Sequence, residues 1–157
     1  MSDLRVGIGV DAHAFADGVP LVLGGVRFDS PRGLAGHSDG DVVTHALIDA
    51  LLGAAGLGDI GSLFPSDAST PEGISSLDLL RDALVHVRGA GYSVANADCI
   101  LIGEHPRIAD RRSKMEEILS NAVGAPVTVR ATTTDRLGFT GRGEGLAAQA
   151  VALVERR

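Results

Sequence analysis

Asp11 and His13 stand two residues apart near the start of this 157-residue chain, and His45 follows the run His37-Ser38-Asp39-Gly40-Asp41 further on. On a strand, residues i and i+2 share one face, so a carboxylate and an imidazole at this spacing can converge on one point. A second imidazole arriving from a helix would complete one carboxylate and two imidazoles, with a coordination position left open. That donor set suits a catalytic zinc site and equally the facial triad of non-haem iron(II) enzymes. Each part is weak alone, since a lone surface histidine is usually just solvated and Asp-x-His pairs arise by chance. The second group is Thr132-Thr133-Thr134-Asp135-Arg136-Leu137-Gly138-Phe139-Thr140-Gly141-Arg142-Gly143-Glu144-Gly145. Its hydroxyls, glycine N–H groups and two arginines are the donors a diphosphate needs, and Asp135 adds a hard oxygen ligand for magnesium.

These residues need elements to position them. Residues 4–13 alternate around Val6, Ile8 and Val10, are interrupted by Gly7 and Gly9, and read as a strand with close backbone approach. No third glycine follows, so this is not a dinucleotide fingerprint. Ser38 and Asp41 have the form of a capping box, which starts a helix at about Gly40. His37 and Ser38 then lie at a helix entrance, where free N–H groups and the helix dipole favour phosphate. On that helix His45 shares a polar line with Asp41 and Asp49, either of which could orient its ring, while Val42, Val43, Ala46, Leu47, Ala50, Leu51 and Ala54 form the apolar face. Residues 21–28, split by Gly24-Gly25, read as a hairpin. Asp59, between Gly58 and Ile60-Gly61, reads as a turn residue after the helix, followed by Leu63-Phe64-Pro65 and a polar, mobile stretch at 66–73.

Further helices fit 76–89 and about 110–123, and further strands fit 92–102 and 127–131. Residues 146–154 suit either a helix or a strand. His86 reads as a surface residue near a helix end. Strands alternating with helices imply an α/β or α+β sheet domain, and residues 1–157 read as one domain. The net charge of −6 offers no basic stripe for nucleic acid. No apolar run is long enough to span a bilayer, and Met1-Ser2-Asp3-Leu4-Arg5 lacks a signal-peptide core. With the single Cys99, which reads as a core residue, these features point to a cytoplasmic protein.

Asp11-Ala12-His13, His37-Ser38-Asp39-Gly40-Asp41, His45, Leu57-Gly58-Asp59-Ile60-Gly61 and Ala131-Thr132-Thr133-Thr134 through Gly145 together resemble the 2-C-methyl-D-erythritol 2,4-cyclodiphosphate synthase family, in its order and spacing across essentially the whole chain. The resemblance implies an α+β fold: a two-layer mixed β-sheet with helices packed on one face, forming a homotrimer with active sites between subunits. It also tips 146–154 towards a strand. The implied reaction cyclises 4-diphosphocytidyl-2-C-methyl-D-erythritol 2-phosphate and releases CMP, in the non-mevalonate route to isoprenoids. By resemblance Asp11, His13 and His45 hold Zn2+ or another divalent transition metal, and Asp135 matches a position for Mg2+ or Mn2+ bound with the substrate diphosphate. His37 and Thr133 match catalytic positions, with His37, Ser38 and Thr133 gripping the reacting phosphates. Asp11, Ala12 and His13 also match substrate contacts, as do Asp59, Ile60, Gly61 and Phe64 around the erythritol. Gly103, Glu104, His105, Pro106 and Arg107, with Thr132, Thr133, Thr134 and Asp135, match the cytidine and diphosphate pocket. Phe139 and Arg142 match binding positions near the trimer interior, where a cavity could hold an isoprenoid diphosphate.

Three positions depart from the family's usual pattern. Asp135 replaces a glutamate, Ser66-Asp67-Ala68 stands where Asp-x-Asp is common, and Gly103-Glu104-His105-Pro106-Arg107 replaces Ala-x-x-Pro-Lys. Chemically the reaction brings two anions together, and metal charge with fixed donors removes their repulsion. Two rival readings share the same residues: an iron(II) oxygenase or metal hydrolase, and a trimeric carrier of a polyprenyl diphosphate held around Arg142.

Overall fold

A computed structural model describes residues 3–157. The chain runs β1 (Leu4–Asp17), β2 (Leu21–Leu23), β3 (Val26–Phe28), β4 (Arg32–Leu34), α1 (Val42–Ala55), α2 (Ile60–Leu63), α3 (Ser76–Gly89), β5 (Tyr92–Ile102), α4 (Arg112–Val123), β6 (Val127–Thr132), α5 (Gly138–Gly141) and β7 (Gly145–Arg156). Five strands form one mixed sheet in the order β4-β1-β7-β5-β6, in which only β5 and β6 are parallel; β2 and β3 make a separate hairpin. The expectation of an α+β fold with a mixed sheet and helices is met.

The sheet's alternation decides where everything else goes. Along β7, Leu146, Ala148, Ala150, Ala152 and Val154 are buried, so the period-two pattern, not the helical one, applies to this segment. These small side chains, with Gly7 and Gly9 of β1, make a shallow bed for α1. A Cβ on Gly7 would lie 1.9 Å from the Ala50 carbonyl oxygen, and one on Gly9 equally close to that of Ala46. Only glycine lets the helix backbone lie so near the strand.

Helix α1 is covered nearly all round, by the sheet on one side and α3 on the other. This corrects the expectation of a solvated polar face: His45 is 8% exposed, and Asp41 is wholly buried. The expected capping box is also absent. Asp41 itself is the N-cap, accepting from Thr44 N, so the helix starts at Val42 and not at Gly40. Asp41 further accepts from Thr44 Oγ1 and from the N–H groups of Gly24 and Gly25. Both glycines have positive φ, as a tight two-residue hairpin turn requires. One buried carboxylate thereby ties the β2–β3 turn to the start of α1.

Other expected elements hold with small shifts. The helix at 76–89 and the strand at 92–102 match α3 and β5, the third helix begins at Arg112, and β1 continues to Asp17. Strand β4 and the one-turn helices α2 and α5 were not foreseen, because three- and four-residue elements carry too little periodicity to read. The segment at 66–73, expected to be mobile, is tied to the site: His37 O accepts from Gly73 N, and Thr70 is buried.

Among the described residues, no helix covers the opposite sheet face. Val6, Ile8, Val10 and Val151 are all exposed there, with Ile8 paired to Val151 across β1 and β7.

Candidate metal centre and adjoining clefts

Strand β1 carries Asp11 and His13 onto the helix side of the sheet, and the glycine-mediated approach of α1 lowers His45 onto them. Asp11 Oδ2 lies 2.7 Å from His13 Nε2 and 3.2 Å from His45 Nδ1, and the two ring nitrogens are 3.2 Å apart. Bonds of about 2.0–2.2 Å to one tetrahedral zinc would separate ligand atoms by about 3.4 Å, so this cluster is close to the required span. The three side chains are the ones that the spacing singled out.

Hydrogen bonds behind the rings support the same reading. His13 Nδ1 donates to the Ala35 carbonyl oxygen at 2.7 Å, which leaves the Nε2 lone pair of the neutral ring facing the cluster. His45 Nε2 is 3.0 Å from Ser38 Oγ and 2.9 Å from Ser76 Oγ. The expectation that Asp41 or Asp49 orients His45 is therefore corrected. Asp41 is committed to the hairpin turn and Thr44, while Asp49 accepts from Ile60 N and holds the start of α2. Burial would raise the Asp11 carboxyl, but the adjoining His13 and His45 imidazoles outweigh it and hold the group at about 2. The same Asp11 contact raises the His13 imidazole above its ordinary value, against the opposing effect of burial. The pocket is thus a place that favours positive charge. A divalent cation fits these donors.

Around the cluster is a cavity of about 180 Å³ lined by Asp11, His13, His37, Ser38, His45, Ile60, Gly61, Phe64, Ser66, Thr70 and Leu79. His37 Nε2 donates to the Thr70 carbonyl oxygen at 2.5 Å, which leaves Nδ1 of the neutral ring as its lone pair. Asp59 stands apart from that lining: it is exposed and N-caps α2 by accepting from Ser62 N, an interaction that lowers its carboxyl.

A larger cleft of about 550 Å³ is lined by Gly103, Glu104, His105, Pro106, Arg107, Ala131, Thr132, Thr133, Arg136, Gly141, Arg142 and Gly143. It joins the two stretches expected to act together, at the ends of the parallel strands β5 and β6. Thr134 and Asp135 are not in its lining. Thr134 Oγ1 donates to Leu137 O and contacts Thr140, whereas Asp135 is an exposed residue at φ 51° beside Thr133. Ala12 and Phe139 border a third hollow with His13.

Sequence reasoning missed Ser76, Thr70 and Leu79. Ser76 is 31 positions from His45, and its only local signal is that of a helix start. Arg136 was read as one of two phosphate donors, and it does line the large cleft beside Arg142.

The model of the YgbB family matches residues 4–155 of the chain. A 2-C-methyl-D-erythritol 2,4-cyclodiphosphate synthase of Rubrobacter xylanophilus is 56% identical, covering 99% of this chain and 98% of its own. The bifunctional enzyme IspD/IspF of Clavibacter michiganensis is 52% identical over 99% of this chain, which spans only 38% of that longer protein. Among solved structures, the bifunctional IspDF of Campylobacter jejuni superposes with a TM-score of 0.95 at 37% identity, over 100% of this chain and 43% of that one. The Plasmodium falciparum IspF, solved as a CDP complex, gives 0.84 at 29% identity, over 98% of this chain and 97% of its own.

Proposed function

The chain belongs to the YgbB family, and from that premise we infer that it is a lyase closing the ring of 2-C-methyl-D-erythritol 2,4-cyclodiphosphate in the non-mevalonate route to isoprenoids. The substrate is 4-diphosphocytidyl-2-C-methyl-D-erythritol 2-phosphate and the other product is CMP. One observation carries the reading: three ligand atoms converge beside His37 and Ser38 in a chain similar to such synthases over nearly its full length.

In this reading residues 1–157 act as one domain, and Asp11, His13 and His45 would hold Zn2+ or another divalent transition metal. Bound there, the ion would supply positive charge to polarise a phosphoryl group. Asp135, with an exposed carboxylate beside Thr133, is the side chain for Mg2+ or Mn2+ accompanying the diphosphate. Its side chain is one methylene shorter than the usual glutamate. The large cleft takes the cytidyl diphosphate, with Gly103–Arg107 about the base and Thr132, Thr133 and Thr134 offering hydroxyls and N–H groups to phosphate oxygens. CDP bound to the Plasmodium falciparum relative supports that ligand class. Ile60, Gly61 and Phe64 would seat the erythritol in the smaller cavity, with Asp59 at its edge.

The chemistry is a transfer of phosphoryl between two oxygens. The 2-phosphate oxygen forms a bond to the outer phosphorus of the diphosphate, the bridging P–O bond breaks, and its electron pair leaves on CMP. His37, Ser38 and Thr133 hold the two phosphates against each other, which makes the step intramolecular. Effective molarities of about 10⁵ M can then outcompete water at about 55 M. No side-chain nucleophile is needed.

The two cavities of one chain have no lining residue in common. A homotrimer that brings the cleft of one subunit to the cavity of the next would let one substrate fill both, and the bare apolar face of β1 and β7 supports such packing. An isoprenoid diphosphate near Phe139 and Arg142 belongs to the same proposal. No helix among the described residues is long and apolar enough to cross a membrane, and the single free cysteine suits the cytoplasm.

Purified protein incubated with the cytidyl substrate in ¹⁸O-labelled water tests the reading. CMP and the cyclic diphosphate, both unlabelled, are the expected products. Stoichiometric label in either would mean a metal hydrolase, and oxygen consumption would mean an oxygenase.

A further inference from the structure

We infer that Ser76, with its hydroxyl proton committed to Asp39, is a positioning residue that fixes the tautomer of His45 and so aims the Nδ1 lone pair into the ligand cluster. The inference rests on the metal reading above. Ser76 is the first residue of α3 and is wholly buried. Its Oγ donates to Asp39 Oδ1 and lies 2.9 Å from His45 Nε2. A hydroxyl has one proton, and an ionised carboxylate can only accept. Towards His45, therefore, Ser76 can only accept, and Nε2 must carry the ring proton. The neutral ring then has a bare Nδ1, and that is the atom 3.2 Å from both Asp11 Oδ2 and His13 Nε2.

Asp39 is itself held in place. Its Oδ2 accepts from Ser76 N, its Oδ1 accepts from Asp41 N, and its own N–H donates to Ile74 O. The chain Asp39–Ser76–His45 thus links the loop before α1, the start of α3 and the interior of α1. It also supplies α3 with a cap that Ser75 does not provide. A second consequence concerns Ser38, whose Oγ lies 3.0 Å from the same Nε2. Because both serines accept from one N–H, the Ser38 proton remains for an anionic ligand in the adjoining cavity. The histidine's tautomer and the serine's availability are then one arrangement.

The test measures zinc affinity of the full chain by chelator competition, and the His45 tautomer by long-range ¹H–¹⁵N correlation, without substrate. Loss of an outer hydrogen-bond partner weakens metal affinity about 10–100-fold, and that loss is expected for Ser76→Ala. Ser76→Thr, which keeps the hydroxyl, should bind near the wild-type level. The wild-type spectrum should show the proton on Nε2, and Ser76→Ala should lose that preference. Should Ser76→Ala fail to fold by circular dichroism, Asp39→Asn makes the same test. Its amide N–H can donate to Ser76 Oγ, which frees the Ser76 proton for Nε2 and drives the ring proton to Nδ1. Tight zinc binding by wild type with unchanged affinity and tautomer in the folded variants would overturn this inference alone. A wild-type chain that binds no zinc would overturn the metal reading, and this inference with it.

Discussion

Removing the His45 imidazole takes away one of three ligand atoms, leaving Asp11 and His13 with too few donors to retain an ion. We expect His45→Ala to lose zinc by elemental analysis and to lose activity by more than the about 10–100-fold that an outer partner costs. His86→Ala is the control, since that ring is exposed and bonded to the Asp82 carbonyl oxygen, away from the cluster. Cys99 makes the opposite case. Burial pushes its thiol up to about 12, so iodoacetamide at pH 8 should label it only as fast as the chain unfolds, which mass spectrometry can follow. At this scale the sequence was informative where spacing alone creates proximity, as for Asp11 and His13 on one strand face. It was uninformative for Ser76, whose function comes from a helix packed against α1 and leaves no trace in local pattern.

Strand β1 and helix α1 form the element pair on which the centre depends. With Gly9 replaced by alanine, the new Cβ would lie 1.9 Å from the Ala46 carbonyl oxygen, and backbone on both sides prevents side-chain adjustment. Overpacking of this kind costs about 1–3 kcal/mol or more, and here it would also lift His45 from Asp11. Gly9→Ala is therefore expected to lower both the urea midpoint and zinc content, whereas Gly53→Ala, with only a 3.8 Å neighbour, should alter neither substantially. The glycines in β1 were legible as a sign of close backbone approach, but not which element approaches. Likewise the polar line of Asp41, His45 and Asp49 was visible, yet its burial was not. Amphipathicity reports only the face opposite the apolar stripe, and says nothing of a second layer such as α3 covering it.

For the whole molecule, the decisive surface is the uncovered side of the sheet. Val6, Ile8 and Val10 are each more than half exposed, beside Val151 on the neighbouring strand. A contiguous apolar strip of this kind suits the subunit packing proposed above. If the chain forms the trimer proposed above, Ile8→Asp is expected to shift it from trimer to monomer in sedimentation equilibrium and to abolish cyclisation, while zinc retention at the Asp11–His13–His45 cluster on the opposite side should be unchanged. A wild-type chain sedimenting as a monomer under active conditions would defeat the trimer. The sequence by itself determined the donor types, the strand pattern of β1, β5 and β6 and the span of α3, because these follow from periodicity, turn chemistry and residue spacing, while the pairing of 103–107 with 132–135 came from the family resemblance. Periodicity left 146–154 open and the resemblance favoured the strand that β7 is, whereas only tertiary structure decided that His45 is buried, that Asp41 serves a hairpin turn and that Ser76 stands behind the ring. Each depends on which surfaces meet across long sequence separations, where burial and hydrogen-bond partners are set by packing and not by neighbours in the chain.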